Sequence, residues 1–137
     1  MADVNRGNRP LSPFMIGQYY RPQMTSMSSI FIRITGIAMM AAALLIVWWF
    51  FAASASPEYF AIVNGLLTSW FGDLVLTLSL LAFWYHALGG LRHLYWDLGG
   101  NMDVDFAEKL GWGMIGGSVV LTILTLILVC GGRKWRF

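Results

Sequence analysis

Apolar residues in this chain run in long unbroken blocks, without the two-residue or three-to-four-residue alternation of a strand or helix with one face in water. Residues 34–55 and 110–132 carry no charged side chain, and each block exceeds the roughly 20 residues that cross a hydrocarbon core. Residues 59–91 hold one charge, Asp73, which leaves 74–91 as a run of about 18 apolar positions, near the lower limit for a spanning helix. The pattern predicts an all-α membrane protein with three transmembrane helices over about 29–55, 66–98 and 105–132, preceded by a surface arm at 1–28.

Punctuation supports these bounds. Pro10, Pro13 and Pro22 keep the arm from forming one long helix. Thr25, Ser26 or Ser28 is placed to cap the first span, and Asp103 or Asp105 the third. Gly99 and Gly100 stop the second through a left-handed cap. Trp48, Trp49, Phe50, Phe51, Trp70 and Phe71 fit the aromatic belt of one interface, and Trp84, Tyr85, Tyr95, Trp96 and Trp112 that of the other.

Composition agrees. With 58% hydrophobic and 12% charged residues, the chain departs from a soluble domain, where about a quarter of residues are charged. The net charge of +2 is too small and dispersed for a nucleic-acid partner. One cysteine, Cys130, rules out an internal disulfide and a thiolate metal cluster. Counting bases gives orientation: Arg6, Arg9, Arg21, Arg33, Arg92 and Lys109 lie on one side, against Arg133, Lys134 and Arg136 on the other. That balance predicts a cytoplasmic N-terminus, against the pull of the basic tail.

The second span holds both histidines of the chain. At about 100° per residue, His86, Gly90, His93 and Asp97 fall within roughly 60° on one helix face. His86 lies inside the apolar zone and His93 toward its edge. An ionisable group at that depth is costly and is by default a functional candidate. Haem iron is one reading for His86, since neutral imidazole is an ordinary axial ligand and Gly89 with Gly90 leaves room for a flat macrocycle. His93 stands about 10 Å further along the axis, the reach from iron to propionates, where it and Arg92 are placed to receive carboxylates. Polar contact with a neighbouring helix, close packing at the glycines, or a proton path are the competing readings. Met39 and Met40 read as packing. If two histidines hold the iron, the second approaches the opposite ring face and comes from another polypeptide, so the bundle is heteromeric or homodimeric.

On the first span Ser29, Arg33, Gly36 and Met40 share a face at the boundary where the second span leaves. A hydroxyl and a guanidinium there suit a quinone carbonyl, whose demand for donors rises as electrons arrive; an arginine snorkelling to headgroups is the alternative.

Taken together, Arg9, Pro10, Leu11, Ser12, Pro13, Thr25, Ser26, Ser29, Ile30, Arg33, Thr35, Gly36 and then His86, Gly90, Arg92, His93 and Asp97 closely resemble the cytochrome b subunit family of succinate dehydrogenase, respiratory complex II, over nearly the whole chain. The resemblance implies His86 as an axial ligand of haem b, with the other ligand from a small membrane-anchor subunit. It implies Ser29 and Arg33 at the ubiquinone site, Arg92 and His93 near the haem propionates, and Asp97 near an iron–sulfur subunit. Flavin and iron–sulfur clusters belong to partner subunits, and no residue acting on succinate belongs here. The membrane implied is a bacterial inner membrane or a mitochondrial one. Two positions depart from the pattern: Phe14 and Ile32 stand where family members commonly have His. A haem-free anchor and a small transporter or proton-channel subunit are the alternative functions.

Overall fold

The computed structural model describes residues 22–133, with side chains as far as Gly131. Four helices follow one another: α1 (Met24–Ala55), α2 (Pro57–Leu67), α3 (Trp70–Asp97) and α4 (Val104–Arg133). Three are long and apolar enough to cross a membrane: Met24–Ala55, Trp70–Asp97 and, within α4, Val104–Gly131. α1, at 32 residues, is about 48 Å long and outruns a hydrocarbon core of about 30 Å. Its ends therefore stand in the interfacial layers.

Two expectations change. The first span begins at Met24 rather than near Ser29, with Gln23 at the cap position and no side-chain cap. Ser26 and Ser28 do not cap it; each donates back within the first turn, to the carbonyls of Gln23 and Thr25. The second difference is α2. The expected second span from residue 66 breaks at Thr68 and Ser69, and the connection before it is a separate helix. Ser56 caps α2 by accepting from the Tyr59 amide at 3.1 Å, and Pro57 occupies its first turn, where a missing N–H costs nothing. Ser69 caps α3 in the same way, accepting from the Gly72 amide. α2 folds back on the end of α1 through Trp48 Nε1 donating to the Tyr59 hydroxyl at 2.7 Å and Trp49 Nε1 donating to Asn64 Oδ1 at 3.2 Å. Trp48 and Trp49 thus satisfy their N–H groups within the protein.

The turn between α3 and α4 forms as its glycines predict. Gly99 has φ of 85°, and the amides of Gly99 and Gly100 donate to the carbonyls of Trp96 and Tyr95, the paired bonds of a left-handed helix stop. Asp103 precedes α4 and its backbone carbonyl accepts from Ala107.

Helix packing relies on small residues, as expected where lipid tails are as apolar as leucine. A Cβ on Gly89 would lie 2.7 Å from Ile32 Cγ1 and 3.1 Å from Met114 Cε, so α1 and α4 both close on α3 there. Trp84 Nε1 donates to Thr125 Oγ1 at 3.1 Å to tie α3 to α4. Few side chains are fully buried, and large apolar groups such as Leu44 and Leu128 are 68% and 76% exposed. Apolar surface on that scale is stable only against lipid or partner helices.

Candidate functional site

His86 lies on the flank of the α1–α3 seam, half-buried. Its Nδ1 is 3.0 Å from the Ile32 carbonyl oxygen and 3.4 Å from Thr35 Oγ1. The carbonyl only accepts, so Nδ1 carries the proton, and in the neutral ring the lone pair rests on Nε2. Among the described residues no hydrogen bond reaches Nε2. Gly36 makes the approach possible: a Cβ there would stand 3.1 Å from His86 Cε1.

The two glycines that follow have separate tasks. Gly89 is buried beneath Ile32 and Met114 and serves helix packing, not the open face expected of it. Gly90 is exposed, and a Cβ there would meet nothing within 4 Å. One turn further, His93 is exposed, as is Asp97. His86, Gly90, His93 and Asp97 therefore form one accessible strip.

Arg92 departs from its expected place beside His93. Six residues along α3 from His86 amount to a turn of about 120° away from it, and Arg92 is 5% exposed. Its Nη1 donates to Ser28 Oγ at 2.9 Å, and its guanidinium lies 4.7 Å from the centre of the Trp96 ring. Nε has no hydrogen-bond partner among the described residues. Tyr85 joins the same cluster, its hydroxyl donating to the Ser28 carbonyl at 3.3 Å. Ser28 and Tyr85 did not figure in the sequence-based site. The signal was there, since Tyr85 and Arg92 repeat the seven-residue spacing of His86 and His93 one position earlier.

Of the pair on α1, Ser29 is half-buried and Arg33 exposed. Both lie on the Gly36 side of α1, the side His86 abuts. Ile32 packs its side chain on Gly89 and gives its carbonyl to His86. Phe14 lies outside the described residues, as do Arg6, Arg9, Arg21, Lys134 and Arg136.

The donor set is that of a single imidazole with a nitrogen unused by the described residues, beside the bare helix surface at Gly90. No cluster of three or more metal-ligating side chains occurs among the described residues, and an axial ligand to a porphyrin needs none. The arrangement fits one face of a haem. The profile of the Succinate dehydrogenase/Fumarate reductase transmembrane subunit family matches residues 5–125. The chain belongs to that family. It is 50% identical over 128 residues to the succinate dehydrogenase cytochrome b556 subunit of Paracoccus denitrificans, covering 93% of this chain and 97% of that one. Similarity extends to the cytochrome b556 subunit of Rickettsia conorii, 33% identical over 116 residues, covering 85% of this chain and 89% of the relative. The cytochrome b560 subunit of Marchantia polymorpha is 34% identical over 125 residues, with 88% and 90% covered. This protein is accordingly a cytochrome b membrane-anchor subunit of succinate:quinone oxidoreductase, a multi-pass membrane component of the enzyme with no part in the chemistry of succinate itself.

Proposed function

We propose that His86, through Nε2, would hold haem b together with a small membrane-anchor subunit. The observation that carries this is the bond from Nδ1 to the Ile32 carbonyl. It fixes the tautomer, orients the ring and raises its basicity, the support that ligating histidines ordinarily receive from a carbonyl or carboxylate. Gly90 leaves the adjoining helix surface bare, and His93 stands at its boundary end to donate to a propionate. Arg92, held by Ser28 and Trp96, acts on the shape of the seam rather than on the haem. The bound haem supplies a one-electron store.

Ser29 and Arg33 bind ubiquinone. As a quinone carbonyl gains electron density, the Ser29 hydroxyl and the Arg33 guanidinium hold the growing negative charge more strongly than the neutral ground state, which lowers the barrier to reduction. Electrons come from succinate through flavin in a flavoprotein subunit and through the clusters of an iron–sulfur subunit, which docks near Asp97. The N-terminus is cytoplasmic, and the membrane is the bacterial inner membrane.

Dithionite-reduced minus oxidised spectra of the purified complex test the assignment. His86→Ala loses the b-type signal while the soluble subunits still oxidise succinate with an artificial acceptor. Arg33→Ala keeps the signal and lowers kcat/KM for ubiquinone by about 10- to 100-fold, the range for a hydrogen bond to a charged group. An unaltered spectrum in His86→Ala would remove the proposal.

A further inference from the structure

A second polar feature lies on the opposite side of α3. Between α3 and α4, next to their connecting turn, a groove of about 360 Å³ is lined at its polar end by Arg92, Lys109 and Tyr95 and along its length by Leu88, Leu91 and Met114. Arg92 and Lys109 each stand five residues inside their helix ends, about 7–8 Å along the axis. They are therefore level with each other, at the depth where acyl chains give way to headgroups.

The charge in this groove is not neutralised by the fold. Arg92 is 5% exposed, has no carboxylate partner among the described residues and leaves Nε without a hydrogen bond. Lys109 borders a neighbouring depression with Asp103 and Asp105, but no ion pair joins it to either among the described residues. Two cations thus head an otherwise apolar trough. At Gly113, a Cβ would meet nothing within 4 Å, and this keeps the wall low enough for a chain to lie in.

We propose that this groove binds one anionic phospholipid, its phosphodiester facing Arg92 and Lys109 and one acyl chain lying along Leu88, Leu91 and Met114. Such a lipid supplies what Arg92 lacks, a negative charge delivered from the membrane side. Basic side chains between transmembrane helices at the headgroup level have the chemistry for this recognition. The site faces away from His86, so its occupancy is separable from haem ligation.

The test uses the whole purified complex, delipidated and returned to nanodiscs of phosphatidylcholine with or without phosphatidylglycerol, with bound lipid counted by native mass spectrometry. Arg92 is left intact because it also packs the bundle. Lys109→Gln weakens phosphatidylglycerol binding about fivefold, the effect of one basic side chain near an anionic lipid. Gly113→Leu, which changes no charge, lowers it by blocking the chain. Haem absorbance stays constant in both. Equal phosphatidylglycerol retention in wild type and both variants would overturn the proposal. So would displacement by inorganic phosphate alone, which would make the site one for a free anion. Failure of the wild type to take up phosphatidylglycerol, the result if a partner subunit covers the groove, would overturn it as well.

Discussion

Three pairs of neighbouring residues divide between two surfaces of the same bundle. Ser28, Tyr85 and Arg92 turn inward and are buried; Ser29, His86 and His93, each the next residue, turn outward and are half-buried or exposed. Adjacent residues on a helix point about 100° apart, so each polar dipeptide at the seam gives one member to the interior and one to the outer flank. The inward row bonds mainly to itself, Arg92 to Ser28 Oγ and Tyr85 to the Ser28 carbonyl. The outward row keeps donors and lone pairs unused by the chain, which makes it a candidate binding surface. Trp96 joins the rows, with the Arg92 guanidinium 4.7 Å from its ring centre and the His93 ring 5.5 Å away, edge to face. Packing of the bundle thus uses the inward flank of the seam, and the outward flank, about 100° away, is the one proposed to meet the cofactor.

The sharpest way to break this division is at Gly89. Leucine there drives a side chain into Ile32 and Met114, where even a Cβ would approach to 2.7 Å. Overpacking of this kind costs about 1–3 kcal/mol, and it separates α1 from α3, which withdraws the Ile32 carbonyl from His86. Gly89→Leu should lower the yield of assembled complex and the Tm, and haem should fall in step, all read on one preparation by size exclusion and absorbance. Gly90→Ala, one residue away, is the counterpart with a smaller effect. Its methyl meets nothing in this chain, and replacing glycine inside a helix gains about 0.5–1 kcal/mol. Stability should hold or rise while the haem signal weakens or shifts. If instead both variants changed Tm and spectrum alike, the two rows would not be separate.

Much of this arrangement was legible beforehand because it depends on signals local to the chain. Unbroken apolar blocks give spans whatever their neighbours are, and the Gly99–Gly100 stop depends on backbone conformation alone. Both matched. The short helix α2 was missed because apolar continuity through residues 59–91 looks the same whether one helix or two carries it. The Ser56–Pro57 and Ser69–Gly72 caps were the available evidence against continuity, and they are weak beside that run of apolar residues. The site was half legible for a related reason. Helical periodicity placed His86, Gly90 and His93 on one strip, but Arg92 was grouped with His93 by chemistry although the same periodicity separates it from His86. Nothing in the one-dimensional pattern disclosed that the Ile32 carbonyl would meet His86 Nδ1, since that bond depends on how closely two helices approach at Gly36.

The smallest expected effect belongs to a contact outside both rows. Trp84 Nε1 donates to Thr125 Oγ1 at 3.1 Å, and Thr125 in turn donates to the Leu121 carbonyl at 2.7 Å. Trp84→Phe removes the indole donor but leaves the threonine hydroxyl satisfied as a donor, so no polar hydrogen is stranded in lipid. Interhelical hydrogen bonds in membranes average about 0.6 kcal/mol by double-mutant cycles. The variant should therefore lower Tm slightly, with the haem spectrum and ubiquinone kinetics of the wild type. Because Trp84 lies nearly opposite His86 around α3, about 160° by helical rotation, a changed spectrum in this variant would mean that packing on the α4 side reaches the haem face. The separation of the two faces would then be one of position only, not of function.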